Sequence, residues 1–230
     1  MIIIYISGID GCGKTTQSLL LEKELRSRGV SVKYAWLRWD PSFRKLFDLL
    51  RLIIGKIRTN RNFSAIHQEQ LHHNRWILFK KSVLSKRLFQ RLWWRYASMD
   101  YLYALKKKIG DLSTYDVIIV DRYIQDFVID QAINLGVSSQ DQFSIIEKLK
   151  AKSFRFPDYT IIINLPAEVG YRRKSDGTPL DYLKERESRY RLIPHDHRTL
   201  HLNGLESIDL LAHSILTWVT HSTSIQNTMN

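Results

Sequence analysis

The stretch "GIDGCGKT", from Gly8 to Thr15, carries the residue types and spacing that most directly imply chemistry. Gly8, Gly13, Lys14 and Thr15 satisfy G-x-x-x-x-G-K-[ST], with an apolar run before them and helix-compatible sequence after them. In such a turn the glycines, here including Gly11, let backbone N–H groups curl around phosphate oxygens, and the following helix, opening at Thr15 and Thr16, adds unpaired N–H donors. Lys14 would reach the β- and γ-phosphates, and the Thr15 hydroxyl would ligate Mg2+. Cys12 reads as a small filler of the loop, although a helix dipole could lower its pKa. The turn is built to hold a nucleoside triphosphate.

A second cluster lies in "VIIVDRYIQDFVID". Asp121 ends an apolar run, where an open α/β sheet places its ligand chemistry, and Arg122 follows directly. A carboxylate there can hold a hydrated Mg2+, and a guanidinium beside it can take an acceptor phosphate bidentately. Asp126 and Asp130 stand four apart on the helix expected after Tyr123, so their carboxylates share a face. They are candidates for acceptor hydroxyls or a second cation; the alternative is an exposed helix face. "HHN" at 72–74 and "HDH" at 195–197 lack a further ligand pair at zinc spacing and read as surface histidines.

These groups need a scaffold, and five short runs supply it: "IIIYIS" at 2–7, "VSVKYAWL" at 30–37, "DVIIVD" at 116–121, "YTIIINL" at 159–165 and "RTLHLN" at 198–203. Several are apolar on both alternating faces, as strands covered above and below must be. Helical patterns separate them, which predicts a three-layer α/β/α fold around a five-stranded parallel sheet. Lys14 to Arg28 forms a helix stopped at Gly29, and Ile208, Leu211, Ala212, Ile215 and Val219 recur at helical spacing. One domain is expected over 1–220, followed by a frayed tail at 221–230.

The 230 residues carry a net charge of +12, but sixteen Lys or Arg against three acids fall within 41–110, leaving the remainder close to neutral. That segment, between the second and third strands, reads as two or three basic helices. A field of that kind attracts phosphates, nucleic acid, anionic membrane or an acidic partner, while its leucines and tryptophans are the residues of helices packed on a sheet. The single cysteine excludes an intrachain disulfide and points to a reducing, cytoplasmic setting. No basic region precedes the short apolar run at Ile2 to Ile6, so no signal peptide is expected.

With "GIDGCGKTTQ", "DRY" at 121–123, "NLPAEVGYRRK" and "LNGLESIDLLAHSIL", the chain resembles the thymidylate kinase family of P-loop nucleoside monophosphate kinases. The resemblance implies transfer of the γ-phosphoryl of ATP, with Mg2+, to a nucleoside monophosphate, thymidine monophosphate first among them. It places Lys14 and Thr15 on donor phosphates and magnesium, Asp10 on the acceptor sugar, Arg122 and Arg38 on the acceptor phosphate, and Tyr123 and Asp126 beside them. About 168–190 corresponds to the family's LID, and 41–110 to its acceptor side. Some members carry a catalytic arginine within the phosphate loop; here that position is Gly11, so Arg172 and Arg173 of the LID become the candidates, or else are solvated helix-end cations. Family members are often dimers, which implies a homodimer.

"LRWDPSFRK" keeps Arg38 without the family's following glycines, and Asp100 stands in the register of an arginine that contacts the acceptor base. Those departures leave open a kinase of the same fold acting on another small acceptor. A third reading is a P-loop ATPase or switch docking on nucleic acid or membrane through 41–110.

Overall fold

The computed structural model describes residues 1–42, 87–150, 155–174 and 177–222. The expectations for helices within 43–86, for His72 to Asn74 and for a tail at 223–230 lie outside the described residues. The chain divides into two compact units, one of Met1–Arg38 with Leu105–Asn230 and one of Trp39–Ala104.

In chain order the described elements are β1 (Ile2–Gly8), α1 (Lys14–Ser27), β2 (Val32–Trp36), α2 (Arg87–Asp111), β3 (Val117–Asp121), α3 (Ile124–Leu135), α4 (Ser139–Lys150), β4 (Tyr159–Asn164), α5 (Ala167–Arg173), α6 (Leu180–Arg191), β5 (Thr199–Asn203) and α7 (Ile208–Ser222). All five strands pair in parallel in the order β2-β3-β1-β4-β5, the five-stranded parallel sheet expected from the apolar runs.

The three central strands β1, β3 and β4 are buried almost throughout, whereas the edge strands β2 and β5 are half-exposed. That gradient explains their composition: central strands need apolar side chains on both faces, and edge strands tolerate Lys33 or His201. Alternation along β1 separates two environments. Ile4 and Ile6 join Leu21 and Leu25 of α1 and Ile215 of α7 in one core. Tyr5 and Ser7 point the other way and hydrogen-bond Asp126 of α3. Parallel pairing brings the carboxyl ends of β1, β2 and β3 to one rim, with Ile6 and Trp36 both in register with Asp121.

In the second unit, Asp100 accepts hydrogen bonds from the Trp39 indole N–H at 3.0 Å and the Ser42 backbone N–H at 3.1 Å. The Trp39 ring meets Trp93 edge-on. No helix among the described residues is long and apolar enough to cross a membrane.

Candidate functional site

The loop between β1 and α1 is held by backbone contacts that only glycine permits. Gly8 has φ +146°, and a Cβ there would lie 2.4 Å from the Ile163 carbonyl oxygen and 2.7 Å from the sulfur of Cys12. Cys12 is buried, and burial pushes its thiol pKa up, against the dipole effect that its position suggested. Gly11 has φ +84°, and a Cβ there would meet the Gly170 carbonyl oxygen of α5 at 2.7 Å. Gly170 is constrained in return, since its own Cβ would lie 2.6 Å from the Asp10 carbonyl oxygen. Phosphate loop and α5 therefore touch backbone to backbone. Gly13 caps α1 in the left-handed region, and Lys14 begins the helix. Thr16 is exposed in its first turn.

At the foot of α1 the Thr15 hydroxyl donates to Asp121 Oδ2 at 2.6 Å. Because its proton is committed to the carboxylate, the lone pairs of the Thr15 oxygen are left for a cation. Asp121 is 1% exposed, and its Oδ1 is buried without a hydrogen-bond partner. A buried unpaired carboxylate oxygen costs about 1–3 kcal/mol or more. The pair suits a hydrated divalent cation of the Mg2+ kind, which binds hard oxygen ligands and retains several waters.

Lys14 Nζ donates to the Ile9 carbonyl at 2.9 Å and lies 3.7 Å from Asp10 Oδ1. Asp10 is ringed, among the described residues, by four cations: Lys14, Arg122, Lys174 at 3.7 Å and Arg186 at 3.5 Å. Burial raises its carboxyl pKa, but Arg122, Lys14, Arg186 and Lys174 outweigh burial and hold it well below the ordinary carboxylate range. Arg122 donates Nη2 to Asp10 while its Nη1 is buried without a partner. It adopts φ +67°, the one positive φ outside glycine among the described residues. Such a conformation costs of order 1–3 kcal/mol and is kept where surrounding contacts demand it.

Behind Arg122 lies a buried polar network. Asp126, 2% exposed, accepts from Tyr5 at 2.5 Å, Ser7 at 3.1 Å, the Tyr123 backbone N–H at 3.0 Å, Arg186 at 3.1 Å and the Tyr190 hydroxyl. Asp130, on the same face of α3, accepts from Tyr182 at 2.9 Å and lies 3.4 Å from Arg186. Asp126 and Asp130 thus engage α6. The Tyr123 hydroxyl donates to the Arg155 carbonyl.

Burial alone would raise the Asp126 pKa; Arg122, Arg186 and the Tyr190 and Tyr5 hydroxyls reverse it and hold the group below its ordinary value. A depressed folded-state pKa contributes stability that is complete above the unfolded value, about 4, and is lost as pH falls through the folded value. Asp126→Asn is therefore expected to lower stability at neutral pH, by about 1–3 kcal/mol because the buried Tyr5, Tyr190 and Arg186 donors lose a charged acceptor while Arg186 keeps Asp10 and Asp130, and to flatten the acid limb of the stability curve. Urea unfolding of both proteins between pH 7 and pH 3 measures this.

The remaining candidates are spread. Arg38 is exposed just past β2, where the Leu37 N–H is tied to the Asp121 carbonyl at 3.0 Å. Arg173 donates Nη1 to the Gly204 carbonyl at 3.2 Å, joining α5 to the loop after β5, and Arg172 is exposed. Asp100 belongs to the second unit, with the partners given above. Among the described residues no three His, Cys, Asp or Glu side chains form a metal-binding group. Sequence reasoning missed Lys174 and Arg186. A signal for Arg186 was present in Tyr182, Arg186 and Tyr190, which recur at intervals of four and so line one face of α6.

No family model matches the chain. It is 26% identical over 214 residues to a thymidylate kinase of Caldanaerobacter subterraneus subsp. tengcongensis, a match covering 89% of this chain and 88% of that protein. The chain is a distant homologue of thymidylate kinase. The match takes in most of the chain, and it accords with the parallel order 2-3-1-4-5 of a P-loop nucleoside monophosphate kinase. Distant thymidylate kinase homology and the phosphate loop together make this a kinase-like nucleotide-binding protein.

Proposed function

We propose that the protein transfers the γ-phosphoryl group of ATP to a nucleoside monophosphate, with thymidine monophosphate the first candidate acceptor. The observation that carries this reading is the adjacency of two unsatisfied groups at the end of β3: Asp121 Oδ1, beside Thr15, and Arg122 Nη1, beside Asp10. One suits a hydrated cation on the donor and the other an anionic acceptor, and consecutive residues hold them. In the transfer an acceptor phosphate oxygen bonds to the γ-phosphorus as the bond to the ADP oxygen breaks. Charge spreads over the moving group, so positioned positive charge does most of the work.

Loop amides and Lys14 bind the donor phosphates, and Thr15 and Asp121 hold Mg2+, which when bound neutralises charge on the β- and γ-oxygens. Arg122 takes the acceptor phosphate through its free nitrogen. In this reading Arg173 and Arg172, in the segment that resembles the LID, serve the donor phosphates, and Arg38 serves the acceptor. Asp126 serves as a positioning group, because its oxygens already hold protein donors.

The test is ADP release from ATP·Mg2+ with a panel of nucleoside monophosphates. Turnover with thymidine monophosphate supports the full reading, turnover only with another acceptor keeps the kinase and changes the substrate, and ATP hydrolysis that no acceptor stimulates removes it.

A further inference from the structure

Tyr34 of β2 is absent from every role assigned so far, yet its hydroxyl lies 3.2 Å from Asp121 Oδ2 and donates to it. Thr15 donates to the same oxygen at 2.6 Å. Two hydroxyls therefore converge on one oxygen of the carboxylate, and the other, Oδ1, is left without a partner. Donors distributed over both oxygens would satisfy the group. Donors gathered on one fix its rotation and reserve the second oxygen.

The strand is held where the phenol can reach. Among the described strands β2 stands at the edge, and the Tyr34 backbone N–H is capped by Glu22 Oε1 of α1 at 3.1 Å. Glu22 also receives Arg26 at 2.7 Å, which keeps its carboxylate in place. Thr15 and Glu22 both belong to α1, so one helix sets both donors relative to Asp121. The 3.1 Å N–H contact is of ordinary length, and the 3.2 Å phenol contact is a long one for an O–H donor, the weaker of the two that Asp121 Oδ2 receives.

We infer that Tyr34 is a positioning residue for the divalent cation, orienting Asp121 so that Oδ1 faces the hydrated metal. This rests on the nucleotide reading above and adds a residue to it. Partners that orient a metal-binding carboxylate are commonly worth about 10–100-fold in metal affinity. Tyr34→Phe removes one oxygen from a half-buried ring and leaves its packing in place.

The experiment is Mn2+ binding in the presence of a non-hydrolysable ATP analogue, read from the electron paramagnetic resonance of free Mn2+, for wild type and Tyr34→Phe. The analogue's metal-free affinity and the melting temperature serve as controls. The expected result is Mn2+ affinity about tenfold weaker in the variant, with the controls unchanged. Equal or tighter Mn2+ binding overturns the inference while leaving the nucleotide reading standing. A parallel loss of metal-free analogue affinity also overturns it, because Tyr34 would then act on the loop as a whole. If wild type binds neither analogue nor Mn2+, the nucleotide reading itself falls, an outcome that the wild-type titration alone distinguishes.

Discussion

Lys14→Ala is expected to lower kcat by at least about 10²–10³-fold while leaving the fold intact. Removal of a single preorganised donor to developing charge costs about that much in other transfer reactions, and Lys14 carries a full charge. Its structural role is small: one hydrogen bond to the Ile9 carbonyl and a longer contact to Asp10. Asp10 keeps Arg122, Lys174 and Arg186 after the substitution, so no carboxylate is stranded. Steady-state rates and thermal unfolding of the same preparation measure both halves. A variant that keeps most of its rate contradicts the placement of Lys14 on the donor phosphates.

Arg122→Ala is expected to reduce kcat/KM for the acceptor by about 10²–10³-fold with ATP affinity changed less than about threefold. The asymmetry follows from the site: Arg122 bonds Asp10 through one nitrogen and keeps the other unpaired, whereas Thr15 and Lys14 serve the donor. Arg122→Lys should rescue little, since a point charge cannot span two partners as a planar fork does. Initial rates with each substrate varied in turn separate the effects. Equal losses toward ATP and acceptor would move the guanidinium to the donor side.

The scaffold was readable because central strands of a covered parallel sheet must be apolar on both faces, and Ile3 to Ile6, Val117 to Val120 and Ile161 to Ile163 are. The phosphate loop was readable because its backbone geometry demands glycine at fixed spacing: Gly8 is crowded by Ile163, and Gly13 takes a left-handed φ at the start of α1. Arg186 was hidden for the opposite reason. Within "LKERESRYR" it looks like one more solvated charge, and only the tertiary approach of α3 and the loop surrounds it with Asp10, Asp126 and Asp130. Tyr34 gave no signal, since a tyrosine on an edge strand reads as packing. Asp126 and Asp130 were seen to share a face, and Tyr182, Arg186 and Tyr190 share one by the same spacing, but only tertiary packing brings the two faces together.

The reciprocal crowding at Gly11 and Gly170 bears on how this loop can change over time. A side chain at 11 would strike the Gly170 carbonyl oxygen at 2.7 Å and one at 170 the Asp10 carbonyl oxygen at 2.6 Å, so neither position takes a Cβ while the loop and α5 keep this spacing. An arginine at position 11 therefore requires α5 to stand farther from the loop than it does here.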